Sequence, residues 1–136
     1  MNPEVMHKHI IIRAEVNKPP MNNNWWERLT NKAQREMNAW LKQLISDIHM
    51  KVMFGPRSMY CPVLGNRGMT SFAIIETSHI ALHSWDEGNG VIQFDVYTCS
   101  DLDKETVFAA LQRFEPTKIQ WKFLDRHSDL IDVTQE

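Results

Sequence analysis

The chain is expected to be α+β: a two-layer α/β sandwich, with two helices on one face of a largely antiparallel sheet. Three observations predict this. Apolar segments follow the order β-α-β-β-β-β-α-β with mostly short connections, which leaves helices on one side of a meandering sheet. One long stripe of apolar residues recurs at three- and four-residue steps, the period of a helix packed on one face. A strong turn signal, Asp86-Glu87-Gly88-Asn89-Gly90, joins two alternating apolar runs as a hairpin.

In chain order, His9 to Val16 opens with the β-branched run Ile10-Ile11-Ile12 and stops at Asn17-Lys18-Pro19-Pro20, a first strand. Asn24 is placed to cap a long helix, with Glu27 as its capping-box partner. Trp26, Leu29, Ala33, Met37, Trp40, Leu41, Leu44 and Ile48 form its continuous apolar stripe. Lys51 to Phe54 reads as a strand broken by Gly55-Pro56, and a loop follows through Pro62, Gly65, Asn66 and Gly68. Phe72 to Ile75, Ile80 to Trp85 and Val91 to Thr98 are the next strands. Ser100 or Asp101 is expected to cap a second helix carrying Val107, Phe108, Leu111 and Phe114, which Pro116 ends. Lys118 to Leu124 is the last strand, and the polar tail from His127 reads as loose.

Composition narrows the function. At 136 residues the chain has room for one domain, residues 1–136, and 43% apolar against 24% charged residues is a globular balance. A net charge of −2 with no basic run argues against a nucleic-acid partner, because phosphate-tracking surfaces concentrate Lys and Arg. No run of about 18 apolar residues occurs, so no spanning helix and no membrane partner are expected. Met1-Asn2-Pro3-Glu4 lacks the layout of a signal peptide, which points to the cytoplasm. The two cysteines, Cys61 and Cys99, have no CxxC spacing, so both are expected to stay reduced.

The hairpin carries the chemistry. Centred on Gly88, it pairs Trp85 with Val91, His83 with Gln93, Leu82 with Phe94 and Ile80 with Val96, so the apolar residues share one face. The other face collects His79, His83, Gln93, Asp95, Tyr97 and Cys99. Extending the count sets Cys99 opposite Thr77, which draws Ser78, His83 and Cys99 into one neighbourhood. Such a set can move protons near neutral pH and offer nucleophiles. Pleat parity opposes the full cluster: Ser78 and His83 are five residues apart and face opposite sides unless a bulge or chain break intervenes. Read blandly, Ser78 is a small strand residue, His83 a surface histidine and Cys99 a small core residue.

The stretch from Gly68 through Glu87, with Glu76-Thr-Ser-His79 and His83-Ser-Trp-Asp-Glu87, followed by Asp95-Val-Tyr-Thr-Cys99, resembles the prokaryotic S-adenosylmethionine decarboxylases. The resemblance is strongest over these residues, with weaker support from His9 on an early strand. It implies a self-cleaving proenzyme. Ser78 would attack the preceding carbonyl, the ester would undergo elimination and hydrolysis, and the chain would split between Thr77 and Ser78. Residue 78 would become a pyruvoyl group that forms a Schiff base with the substrate amine and accepts the electrons released with carbon dioxide. The same resemblance assigns Thr70 and His83 to assisting cleavage, Cys99 to reprotonating the α-carbon and Glu87 to the ribose hydroxyls. It also implies a small-molecule substrate, a product used in spermidine biosynthesis and a homodimer.

Several positions depart from the family pattern. Thr77 stands where the family has Glu, Asp86 where it has Pro, and Arg13 where the first strand usually carries an acid. The family's adenine-stacking Phe falls near Leu64, which leaves Tyr60 as a substitute. These departures keep two alternatives open: the same scaffold decarboxylating a basic amino acid such as ornithine or arginine, or an unprocessed homologue that binds a ligand or partner without catalysis. Elsewhere, His7 and His9 alternate on a strand and read as the exposed face of an edge strand, with no carboxylate at ligand spacing and hence no metal. Cys61 reads as a packed loop thiol, and one of Trp25 and Trp26 as the start of the helix stripe. Gly65 and Gly68 signal only a turn.

Overall fold

A computed structural model describes residues 6–135, so the Met1–Glu4 segment read above lies outside the described residues. Seven strands form one sheet in the order β2-β3-β4-β5-β1-β6-β7, and every pairing in it is antiparallel. The strands are β1 (Lys8–Val16), β2 (Val52–Cys61), β3 (Gly68–Ile75), β4 (Ser78–Trp85), β5 (Gly90–Thr98), β6 (Pro116–Asp125) and β7 (Ile131–Asp132). Helices α1 (Trp25–Thr30), α2 (Lys32–Asp47) and α3 (Lys104–Leu111) complete the second layer. The two-layer α+β expectation is met.

Burial alternates along the sheet as a one-sided core requires. On β4, Ser78, Ile80, Leu82 and Ser84 are buried while His83 is exposed; on β5, Ile92, Phe94 and Val96 are buried while Gln93 is exposed. Ala33, Met37, Trp40, Leu41, Leu44 and Ile45 of α2 close the core from above. Trp40 packs its ring 5.4 Å from Phe94 and 5.1 Å from Phe114, and its indole N–H donates to the Ala110 carbonyl at 2.9 Å. Each such fully buried large side chain contributes roughly 1.5–3 kcal/mol of burial free energy.

The structure corrects several local expectations. The long helix is two, because Asn31 adopts a left-handed conformation (φ 52°) that closes α1 and starts α2. Asn24 does cap α1, accepting from the Glu27 N–H at 2.8 Å, but α1 buries nothing: Trp25, Trp26 and Leu29 are each 60% exposed or more. Strand β2 runs on past Gly55-Pro56 to Cys61, absorbing the irregularity as register shifts between Val52 and Arg57. That puts Cys61 on a strand, opposite Gly68.

Asp103, rather than Ser100 or Asp101, caps α3 through the Glu105 N–H. A 3₁₀ turn (Gln112–Phe114) and left-handed Glu115 end that helical stretch, and Pro116 instead opens β6. In the tail, Ile131–Asp132 pairs with Leu124–Asp125. Strand β1 lies between β5 and β6, so it is no edge strand, and His9 is only 8% exposed.

Candidate active site

The β3–β4 connection is two residues long, because Ile75 pairs with Ser78 and leaves only Glu76 and Thr77 to turn the chain. Thr77 takes φ 52° to do this. A β-branched residue there is a steric outlier, since Cβ and its branches crowd the neighbouring carbonyl. The turn is held from three sides. Glu76 N–H donates to the Lys51 carbonyl at 3.1 Å, and the Glu76 carbonyl accepts the Thr77 hydroxyl at 2.8 Å and the Cys99 thiol at 3.2 Å.

Ser78 follows directly, 7% exposed, with its side chain on the core face. Its hydroxyl is the one buried side-chain polar atom among the described residues that lacks a hydrogen-bond partner. Buried hydroxyls are normally paired, since leaving one unmade costs about 1–3 kcal/mol. Ser78 thus offers an uncommitted hydroxyl, a group able to act as a nucleophile, directly after the left-handed Thr77.

The predicted register of β4 and β5 holds at Trp85–Val91, His83–Gln93, Leu82–Phe94 and Ile80–Val96. Cys99 lies beside the β3–β4 turn as expected. His83 does not. No bulge interrupts β4, so His83 faces the open side while Ser78 faces the core, about 16 Å away along the strand at 3.3 Å per residue. The expectation that Ser78, His83 and Cys99 gather within one chain is therefore corrected: Cys99 touches the turn at the Glu76 carbonyl, two residues before Ser78, and His83 stands apart from both. His83 gathers instead with Thr70, its cross-strand partner, whose hydroxyl is 3.0 Å from His83 Nδ1.

The proposed substrate-binding residues meet one another at the far end of β4. Tyr60, Leu64 and Glu87 line a cavity of about 750 Å³ together with Arg28, Arg67 and Asp86. Glu87 accepts the Gly65 N–H and pairs with Arg67 at 3.2 Å. Tyr60 donates to Asp86 at 2.7 Å. Burial, and then the carboxylate it bonds, push the Tyr60 phenol up to about 12. The two departures at positions 60 and 86 are thus partners of each other.

Sequence reasoning gathered only His79, Asp95 and Tyr97 of a larger cluster, because its other members come from strands far apart in the chain. Around Tyr97 on the open face stand His7, His9, His79 and Arg126, the guanidinium 4.4 Å above the ring. His9 Nε2 and Asp95 Oδ1 are in close hydrogen-bonding contact, and His79 Nε2 is 3.7 Å from the same oxygen. Burial opposes ionisation of Asp95, but the hydrogen bond from His9, with His79 behind it, outweighs that and holds the carboxyl below its ordinary range. These three side chains bring their donor atoms within 4.8 Å of one another, so the carboxylate that the His7–His9 reading lacked is present. However, Arg126 Nη1 donates to His9 Nδ1 at 3.0 Å. A metal-bound imidazole normally donates its second N–H outward, and here that nitrogen must accept from a cation. The wiring is that of a hydrogen-bonded relay.

Comparisons with known proteins identify the family. The sequence profile of the S-adenosylmethionine decarboxylase family matches residues 27–127. The "S-adenosylmethionine decarboxylase proenzyme" of Pyrobaculum arsenaticum is 34% identical over 100 residues, 72% of this chain and 68% of that protein. The proenzyme of the same name from Archaeoglobus fulgidus is 36% identical over 61 residues, 43% of this chain and 54% of that one. Among solved structures, the adenosylmethionine decarboxylase of Aquifex aeolicus shares the fold at a TM-score of 0.59 and 18% identity, covering 95% of this chain and 94% of its own. The chain belongs to the S-adenosylmethionine decarboxylase family. Proenzymes of that family carry a pyruvoyl group made from a serine by self-cleavage.

Proposed function

We propose that this chain is a proenzyme that cuts itself between Thr77 and Ser78 and then decarboxylates S-adenosylmethionine. The observation that carries the reading is the unpartnered, buried Ser78 hydroxyl next to a left-handed threonine. The residues fit the group, since a hydroxyl engaged elsewhere could not leave its rotamer to attack the Thr77 carbonyl. Once formed, a pyruvoyl at residue 78 supplies a carbonyl that takes up the electron pair released with carbon dioxide.

The chain's own residues do the rest. Cys99, whose thiol donates to the Glu76 carbonyl of the turn at 3.2 Å, would return a proton to the carbon that loses carbon dioxide. Thr70 fixes the His83 ring through Nδ1. Glu87 offers a carboxylate for ribose hydroxyls, and its exposed pair with Arg67 is worth at most about 1 kcal/mol, so a ligand displaces it cheaply. Arg13, the cation where an acid is usual, lies 3.5 Å from Glu15, which offsets its repulsion of a sulfonium.

Ser78 and Cys99 lie at one end of the β4–β5 hairpin, with Thr70 and His83 along it and Glu87 at the other end. A homodimer resolves this separation. In a two-fold pairing a contact between residue i and the partner's residue j occurs twice, so open faces apposed with their hairpins antiparallel would set Cys99 of each chain toward His83 of the partner subunit. Ile11, Met59 and Ile74, each at least 44% exposed, suit that open face to burial. No helix among the described residues is long and apolar enough to cross a membrane. We place the enzyme in the cytoplasm, supplying aminopropyl groups for spermidine biosynthesis.

Release of labelled carbon dioxide from carboxyl-labelled S-adenosylmethionine, with ornithine and arginine as competing substrates, tests the activity. Release from S-adenosylmethionine alone is expected, and release from a basic amino acid alone would move the substrate assignment. Chain mixing tests the shared site. Cys99→Ala and His83→Ala proteins should each be inactive, yet equal co-expression should restore about a quarter of wild-type turnover, because half the dimers carry one intact site. No recovery would place each site within one chain.

A further inference from the structure

Three asparagines in a row, Asn22, Asn23 and Asn24, lead into α1, and they do unequal work. Asn22 accepts from the Ala33 N–H at 2.8 Å and donates to Gln34 at 2.9 Å, which pins the segment to the start of α2. Asn24 accepts from the Glu27 N–H at 2.8 Å and donates to the Glu27 carboxylate at 3.1 Å. Between them, Asn23 engages only its backbone N–H, on Glu27 at 3.2 Å. Among the described residues its side-chain amide has no hydrogen-bond partner, and the Arg28 guanidinium has neither a hydrogen bond nor an ion pair. Both residues line the cavity of about 750 Å³ that Tyr60, Leu64 and Glu87 share. The other charges of that lining are engaged, since Arg67 pairs with Glu87 and Asp86 accepts from Tyr60.

Arg28 and Arg67 balance Asp86 and Glu87, so the lining as a whole is neutral and favours an uncharged guest over an ion. An uncommitted guanidinium also repels a sulfonium. Of the parts of S-adenosylmethionine, the adenine base suits this wall: it is flat, neutral, and offers a donor and an acceptor side by side. A side-chain amide matches that edge, accepting from the 6-amino group and donating to N7. A guanidinium matches the ring face, because its plane stacks on aromatic surfaces. We propose that Asn23 and Arg28 select and hold the adenine base, Asn23 reading its 6-amino and N7 edge and Arg28 lying on its plane. This rests on the decarboxylase reading above, and gives the segment between β1 and α1 a part in substrate specificity. The committed bonds of Asn22 and Asn24 on either side hold that segment in place, so little ordering remains to be done when the base enters. Leu64, 77% exposed, adds apolar surface but no ring to stack on, which leaves the planar contact to Arg28.

The test reads base selectivity and needs no turnover. Adenosine and purine riboside, which lacks the 6-amino group, are titrated calorimetrically into the full chain and its variants. Both residues are exposed, so their substitution should leave the fold intact. The reference protein should prefer adenosine about tenfold, the discrimination expected of one bidentate amide contact. Asn23→Ala should weaken adenosine to the level of purine riboside, whereas Asn23→Gln, with the same amide, should keep part of the preference. Arg28→Ala should weaken both nucleosides about tenfold and leave their ratio unchanged, as loss of a stacking surface does. Arg28→Lys should behave like Arg28→Ala, because an ammonium carries the charge without the plane. A preference that survives Asn23→Ala would overturn the edge reading, and full binding by Arg28→Lys would overturn the stacking. Failure of the reference protein to bind adenosine would overturn both, even in a chain that releases carbon dioxide from S-adenosylmethionine. The expected selectivity pattern in a chain that releases none would instead sink the decarboxylase reading and leave the base site standing.

Discussion

The two ends of β4 are built on opposite plans. At the Trp85 end, polar groups are engaged: Ser84 Oγ accepts the Met69 N–H, the Trp85 indole donates to Asn66, Tyr60 donates to Asp86, and Glu87 holds both Gly65 and Arg67. At the Ser78 end a buried hydroxyl has no partner and the residue before it is left-handed and β-branched. An unmade buried hydrogen bond costs about 1–3 kcal/mol and a left-handed non-glycine about 1–2, so one turn stores a noticeable part of the roughly 5–15 kcal/mol that holds a domain together. The first end lines the cavity shared by Tyr60, Leu64 and Glu87. Under the proposed processing, rearrangement of the Thr77–Ser78 bond would remove both costs at the second end at once.

That contrast can be broken by substitution. The largest effect belongs to Ser78→Ala, which should abolish cleavage altogether while raising stability toward urea by about 1 kcal/mol, since the orphan hydroxyl is gone. Cleavage that persists in this variant would mean that the bond lies elsewhere. Thr77→Gly should come next. It relieves the strained φ, so the uncut protein should gain up to about 1 kcal/mol and cleave several-fold more slowly, as followed by timed gel densitometry. Faster cleavage would show that crowding by the threonine hinders the reaction more than its strain helps.

Tyr60→Phe, at the other end, should have the smallest effect and leave cleavage untouched. It should cost about 1 kcal/mol near neutral pH through the lost bond to Asp86. The sign with pH follows from the raised phenol. Its contribution is complete below the ordinary value of 10.0 and fades as the pH climbs through about 12, so the wild-type and Phe proteins should converge in that window. Denaturant midpoints that stay apart there would remove the Tyr60–Asp86 bond from the account.

The hairpin from Ile80 to Val96 was legible because its register depends on one turn and on alternation within a few residues of it. The break at Asn31 was not, since the apolar spacing runs through it unaltered and only tertiary packing decides that Trp26 and Leu29 stay outside. The central place of β1 is likewise a long-range fact, and with it went the identity of His9 as a buried, Arg126-capped donor. Sequence placed Cys99 beside the turn through strand pairing. Parity warned that His83 would miss Ser78, and the uninterrupted β4 makes that warning decisive.

The most direct test is the mass of the purified chain after incubation at neutral pH. Self-processing predicts two fragments, residues 1–77 and 78–136, the second lighter by one ammonia than the plain peptide because its first residue has become a ketoacid. A single species that stays at 16.0 kDa would contradict the account.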